Sequence, residues 1–211
     1  MKVMLLMYMT LGLTPALLPA GETNKIACSF GKGGWNPSEW MFVKRRDMSG
    51  RSEWRQDSDF IANDGTHTSM VFTKKHKGDI KVSVSMAFVD RMAPSIVIVS
   101  KLGTAADGAN VFDEHVEIVL WDEGVNIWHL HTVDGKSLWE LSAFAKFKLT
   151  KNNPYTLEAV KRGKELSVRV DGHVFGYRDS TLPEEYYVGI TGSEGVNRFY
   201  SFAVQDAQEL K

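Results

Sequence analysis

From Ile80 to Phe88 the chain reads Ile-Lys-Val-Ser-Val-Ser-Met-Ala-Phe, with an apolar residue at every even position and Lys, Ser, Ser and Ala between them. Side chains of an extended strand alternate between its two faces, so this period of two places Ile80, Val82, Val84, Met86 and Phe88 on one buried face. Strand-like segments recur at residues 95–99, 111–121, 125–132, 155–160, 165–170, 173–177, 186–191 and 198–204. Between them stand turn signals: Asn63-Asp64-Gly65, which suits a tight hairpin, then Asp122-Glu123-Gly124, Asp134-Gly135, Asn152-Asn153-Pro154, Lys161-Arg162-Gly163-Lys164 and Asp171-Gly172. Asn, Asp and Gly tolerate the positive φ that tight hairpins need. More than ten short strands punctuated this way define an all-β chain, and the pattern matches a two-sheet antiparallel β-sandwich of the jelly-roll type. Residues 137–147 are ambiguous, because Leu138, Leu141, Phe144 and Ala145 also fall at helical spacing.

A chain of 211 residues can bury one continuous core, so residues 21–211 are expected to form a single sandwich domain. Residues 1–20 differ: Lys2 precedes an apolar run broken only by Thr10 and Gly12, and residues 15–20 end in Ala20. That order suits a secretory signal peptide and implies export, to the periplasm, the cell surface or the medium, and the run is short for a stable membrane span. With 25 Lys plus Arg against 26 Asp plus Glu, there is no concentrated positive field to gather nucleic acid. The cluster Lys44-Arg45-Arg46 is offset by nearby acids and reads as solvated surface. Cys28 is the only cysteine, so no intrachain disulfide assists the fold. There is no phosphate-binding glycine loop, no zinc-type cysteine pair and no nucleophile elbow, which leaves nucleotide-dependent and covalent serine chemistry without a motif.

The strand at 111–121 carries the chemistry. Alternation places Asp113, His115, Glu117, Val119 and Trp121 on one side and Phe112, Glu114, Val116, Ile118 and Leu120 on the other, which is the better core face. Asp113 and Glu117 then lie roughly 13 Å apart at about 3.3 Å per residue, too far to flank one glycosidic bond. The returning strand adds His129 and His131, alternating with Trp128. Sharing a face with His115 and Glu117, they would make a surface suited to proton transfer, so Glu117, His115 and His129 are the catalytic candidates. Six tryptophans are present, Trp35, Trp40, Trp54, Trp121, Trp128 and Trp139. An indole stacks on the apolar face of a sugar while polar neighbours bind its hydroxyls. Trp121 ranks first as a sugar platform, followed by Trp128 and Trp139, with core filling as the competing reading. His131, Asp113 and Arg198 are further ligand-binding candidates, and Glu194 could rim a cleft. The loop from Asp107 to Asn110, with oxygen ligands at both residues, is the candidate calcium site, the row of His115, His129 and His131 is an alternative metal site, and no other cofactor is expected.

The second half of the chain carries a further pattern: His115-Val116-Glu117-Ile118, Tyr155 to Val160, Leu166-Ser167-Val168-Arg169-Val170-Asp171-Gly172-His173-Val174, and Tyr187 to Thr191 leading to Phe199 to Val204. Over roughly residues 52–205 it resembles the concanavalin A-like lectin/glucanase superfamily, and more loosely its laminin-G-like and 3-keto-disaccharide hydrolase members. The resemblance implies two curved antiparallel sheets, with a glycan carried on the concave face and a structural calcium in many members. The retaining glucanases of that superfamily carry Glu-x-Asp-x-Glu on one strand, and the closest segment here is Asp113-Glu114-His115-Val116-Glu117. The expectation is therefore an exported carbohydrate-active protein that binds or hydrolyses a glycan. Enzyme and binding module stay open, as does oligomeric state, and a structural or protein-interaction module is the alternative.

Overall fold

The alternation becomes register in the structure, a computed structural model describing residues 25–46, 53–63 and 65–206. The leader at 1–20 lies outside the described residues. The strands are β1 (Lys25–Ser29), β2 (Trp40–Lys44), β3 (Trp54–Gln56), β4 (Ile61–Asn63), β5 (Thr68–Phe72), β6 (His76–Lys77), β7 (Ile80–Phe88) and β8 (Met92–Thr104). They continue as β9 (Asn110–Trp121), β10 (Gly124–Val133), β11 (Lys136–Lys146), β12 (Tyr155–Arg162), β13 (Glu165–Val170), β14 (His173–Arg178), β15 (Glu185–Gly192) and β16 (Asn197–Asp206). The first sheet has the order β14-β13-β12-β7-β16-β4-β3, with β1 also pairing β16. The second contains β11-β10-β9, and β9 also pairs β8.

The main core lies between the sheets. Ile80, Val82, Val84, Met86 and Phe88 of β7 meet Ile96 and Ile98 of β8, Val116, Ile118 and Leu120 of β9, and Val125 and Ile127 of β10 in one buried cluster. Trp40 belongs to it, with ring centroids 5.6 Å from Phe30, 5.4 Å from Phe72 and 5.0 Å from Phe202. Trp35 and Trp54 pack against the same cluster. Three of the six tryptophans are thus filler, which is what large apolar area is worth in a sandwich interior.

The second sheet bends into a ring. β9 pairs β8, β8 pairs β15, β15 pairs β5 and β5 pairs β2, all antiparallel. A short parallel junction of Val43 with Asn110 and Lys44 with Val111 returns β2 to β9. The face turned away from the main core thereby becomes the lining of a small barrel, filled by Val43, Val71, Val97, Val99, Phe112 and Leu130. Gly189 of β15 sits opposite Val71 and Val97, where a β-carbon would come within 2.1 Å of the Met70 carbonyl oxygen. Only the missing side chain lets the backbones approach so closely.

Three local expectations are corrected. Residues 137–147 are not helical: β11 is an edge strand, paired with β10 from Gly124–Lys146 to Val133–Lys136. Its register shifts once, because Ile127 pairs Ala143 and Trp128 pairs Leu141, leaving Ser142 of β11 as an extra residue. The Asn63-Gly65 turn does not close a hairpin, since β4 pairs β16 in one sheet while β5 pairs β2 and β15 in the other. Third, Phe112 does not face the main core: irregularities at Val99/Lys101 and Lys101/Leu102 break the alternation of β9. They turn Phe112 into the barrel, where its ring lies 4.1 Å from that of His115.

Candidate functional site

The barrel interior is apolar along most of its length and polar at one end, where β2 and β15 finish and β5 and β8 begin. There the Ser69 and Thr191 hydroxyls lie 2.6 Å apart and Ser95 Oγ donates to the Thr191 carbonyl at 3.3 Å. Beside this polar rim is a cavity of about 310 Å³ lined by Arg45, His67, Glu117, Trp128, Trp139 and Glu194, with Met92, Ala93, Val119 and Ser193 completing the wall. That volume falls within the range of small-ligand pockets. A larger cavity of about 760 Å³ lies against Trp40, Phe42 and Trp54 beside β2. It brings no set of titratable groups together comparable to the Glu117 cluster.

Glu117 forms the floor and is 3% exposed. Its Oε1 lies 3.0 Å from His115 Nε2 and 3.0 Å from His67 Nε2. Burial alone would push this carboxyl up, but the electrostatic attraction of the His67 ring and the hydrogen bonds from His115 and His67 outweigh it and hold Glu117 well below the usual carboxylate range. An ionised carboxylate only accepts, so both imidazole nitrogens facing it carry protons. Burial holds the His115 imidazole below its usual range, against partial support from Glu117. His115 Nδ1 is buried without a hydrogen-bond partner. The Trp139 ring stands 5.7 Å from each of His67 and His115 and 6.5 Å from Trp128, with the Arg45 guanidinium carbon 5.4 Å from its centroid.

The rim of the cavity is pinned by two buried asparagines. Asn197 Oδ1 accepts from the amides of Ala93 and Ser193, and its Nδ2 donates to the carbonyls of Met92 and Gly195. Asn63 Oδ1 accepts from the Asn197 amide, while its Nδ2 donates to the carbonyls of Thr66 and Gly195. The segments bearing Met92, Ala93, Ser193, Glu194 and His67 are thereby tied to one another. This is why the chain can turn from one sheet to the other at Asn63 and still present His67 at a fixed place.

The residues singled out from sequence are divided among several places. Glu117, His115, Trp128 and Trp139 meet around the cavity. The register pairs His129 with Val116 and Trp128 with Glu117, so His129 and His131 face the opposite side of β10 from His115 and Glu117. His129 Nε2 lies 3.7 Å from Glu114 Oε1, and its Nδ1 is 3.3 Å from Thr181 Oγ1. His131 and Asp113 line a separate polar cavity with Arg46, Lys101 and Glu114, and Asp113 pairs with Arg46. Trp121, ranked first from sequence, lies under Arg91 at 5.9 Å at the end of β9 and does not line the Glu117 cavity. Arg198 is on β16 of the other sheet, 5.2 Å over Phe60. At the calcium candidate, Asp107 Oδ2 lies 2.5 Å from Lys44 Nζ and its Oδ1 accepts from the Ala109 amide. Asn110 lies in β9, paired with Val43 and Thr104. In this arrangement the Asp107 carboxylate is paired with the Lys44 ammonium at the surface. Among the described residues no group of three or more His, Cys, Asp or Glu side chains is arranged to hold a metal. His67, which has the closest hold on Glu117 together with His115, carries no local signal in the sequence. Fifty residues separate it from its partner, and only the turn after Asn63 brings it in.

The two-sheet architecture is that of the concanavalin A-like lectin/glucanase fold, and comparison with solved structures agrees. The chain is similar to the carbohydrate-binding module CBM66 from Bacillus subtilis, with a TM-score of 0.57 and 13% identity, covering 77% of this chain and 92% of that one. It is similar to the κ-carrageenase of Pseudoalteromonas carrageenovora, solved with an oligotetrasaccharide of κ-carrageenan, at a TM-score of 0.57 and 7% identity, covering 92% and 99% of the two chains. It is also similar to the exoplasmic/lumenal domain of VIP36 in a Ca2+/Man3GlcNAc-bound form, at 0.52 and 11% identity, covering 80% and 85%. No protein-family model and no curated protein sequence matches the chain. At these identities the likeness is one of fold. No helix among the described residues is long and apolar enough to cross a membrane.

Proposed function

We propose that this protein binds a glycan in the Glu117 cavity, on the concave face of the ring-closed sheet. One observation carries the reading: two indoles, Trp128 and Trp139, converge with Arg45, Glu117, His67 and Glu194 on a single opening. A pyranose has an apolar face for an indole and hydroxyls for charged and polar groups, and this cavity offers both kinds of surface. The solved structures of like fold named above include a carbohydrate-binding module, a carrageenase with its oligosaccharide and the VIP36 domain in its Ca2+/Man3GlcNAc-bound form, which supports carbohydrate as the ligand class. The leader-like order of residues 1–20 supports export, where extracellular or envelope glycans are met.

The state of Glu117 limits the part it could take in hydrolysis. A carboxylate held ionised by two imidazoles has no proton to give a leaving group at neutral pH, so it is not a general acid. Hydrolysis would have to use Glu117 as base or nucleophile with Glu194, the other carboxylate of the lining, as acid. The discriminating experiment is a glycan array followed by calorimetry on the mature protein and on Trp139→Ala. Binding should fall by about tenfold or more in the variant with the fold retained, as expected for a lost stacking platform. Unchanged affinity would remove Trp139 from the site, and turnover of a bound oligosaccharide that stops in Glu117→Gln would convert the binder into a hydrolase.

A further inference from the structure

The two histidines that hold Glu117 are chemically alike toward it and unlike in what they do with their other nitrogen. Because the ionised carboxylate can only accept, each ring turns a protonated Nε2 to it, and a ring in its neutral form then leaves Nδ1 as a bare acceptor. For His115 that acceptor is sealed: its side chain is 0% exposed, and Nδ1 has no hydrogen-bond partner. The His67 side chain is 11% exposed and stands in the cavity wall with Trp139 and Trp128. Its Nδ1 is the nitrogen that Glu117 does not hold. We infer that His67 is the specificity-determining residue of the site, reading a hydroxyl hydrogen of the bound sugar through Nδ1, while Glu117 and His115 are positioning residues that fix its tautomer and orientation.

The inference rests on the glycan reading and adds what that reading lacks. An indole selects only for an apolar ring face, whereas an acceptor fixed in direction selects for a hydroxyl at one position and one configuration. Freed of Glu117, an imidazole equilibrates between two tautomers and two ring flips, and half of its donor and acceptor pattern would be wrong. His115 prevents this from the far side, because Glu117 Oε1 is shared and cannot swing toward the ligand without losing that bond. The arrangement is a buried carboxylate directing an imidazole, with a second imidazole anchoring the carboxylate.

Two measurements test it together. In the ligand-free protein labelled with 15N-histidine, His67 should show a protonated Nε2 and an unprotonated Nδ1 at pH 7.5 by long-range proton–nitrogen correlation, and in Glu117→Gln this single tautomer should give way to a mixture. A proton on His67 Nδ1 in the wild type overturns the assignment whatever the ligand proves to be. In parallel, wild type and His67→Gln are titrated with a panel of neutral and sulfated oligosaccharides. Glutamine keeps an amide donor for Glu117 and removes the Nδ1 acceptor, so affinity should fall at least tenfold, with a loss of discrimination between the preferred sugar and its deoxy analogue. Binding by His67→Gln equal to wild type overturns the inference and leaves the glycan reading standing, while a wild-type protein that binds none of the panel defeats the glycan reading itself.

Discussion

A carboxylate 3% exposed survives as an anion only where neighbours replace the water it lost, and for Glu117 the replacement is two imidazole N–H groups. This makes the fold sensitive to acid. Glu117 titrates lower in the folded protein than in the unfolded chain, and so does His115. The unfolded chain therefore binds more protons as pH falls, and stability must fall with it. The loss begins below about pH 6.5, where an unfolded histidine takes a proton that buried His115 resists, and steepens below about pH 4.3, where an unfolded glutamate does the same. Urea midpoints measured at pH 7.5, 5.5 and 4 should decline in that order, and a flat profile would contradict the ionised state assigned to Glu117. Glu117→Gln should lose about 1–3 kcal/mol at pH 7.5 and flatten the acidic limb of the profile. Asn197 is the other residue whose removal should be costly. It satisfies four backbone groups from two segments of the rim, and Asn197→Ala should destabilise by about 3 kcal/mol. Hydrogen exchange would show the effect concentrated at Met92–Ala93 and Ser193–Gly195, whereas uniform loss of protection would count against a local pinning role.

At the scale of elements, what was legible in the sequence was local. The alternation of β7 survives intact as a strand with Ile80, Val82, Val84, Met86 and Phe88 inside. The Asp134-Gly135 and Asp171-Gly172 pairs join β10 to β11 and β13 to β14, with φ of 50° and 75° at the first and 48° and 79° at the second. That double left-handed geometry is what the residue types signal. What could not be read was anything set by a partner strand. Irregular pairing between β8 and β9 turns Phe112 to the other face, and β11, whose apolar spacing also suits a helix, pairs as a strand with Ser142 as an extra residue. The closure of β2 onto β9 rests on two residue pairs and has no sequence mark. It depends on β15 approaching β5 closely at Gly189. Gly189→Ala should therefore destabilise by about 3 kcal/mol, since the added carbon meets backbone at 2.1 Å. A variant with an unchanged urea midpoint would show that the ring relaxes freely at this position.

The whole molecule divides its labour between the two sides of one sheet. One side packs into the interior of the sandwich, and the other closes into a barrel whose interior is largely apolar and whose polar mouth gathers side chains from β8, β9, β10, β11 and the loops next to β2, β5 and β15. The candidate site was half visible beforehand: Glu117 with His115 follow from alternation along one strand, and Trp128 with Trp139 from composition. His67 and Arg45 were not: each reaches the cavity through long-range closure, His67 stands in no local pattern, and Arg45 reads in the sequence as part of the solvated Lys44-Arg45-Arg46 cluster. The account's central claim is that a sugar sits against Trp139 and Trp128 above Glu117. Six indole N–H resonances in a 15N-labelled protein report on it without mutation, followed while oligosaccharides are added. The account predicts that the resonances of Trp139 and Trp128 shift with saturation while those of Trp40, Trp54 and Trp35 stay still. Saturable shifts confined to other tryptophans, or none from any glycan offered, would contradict it.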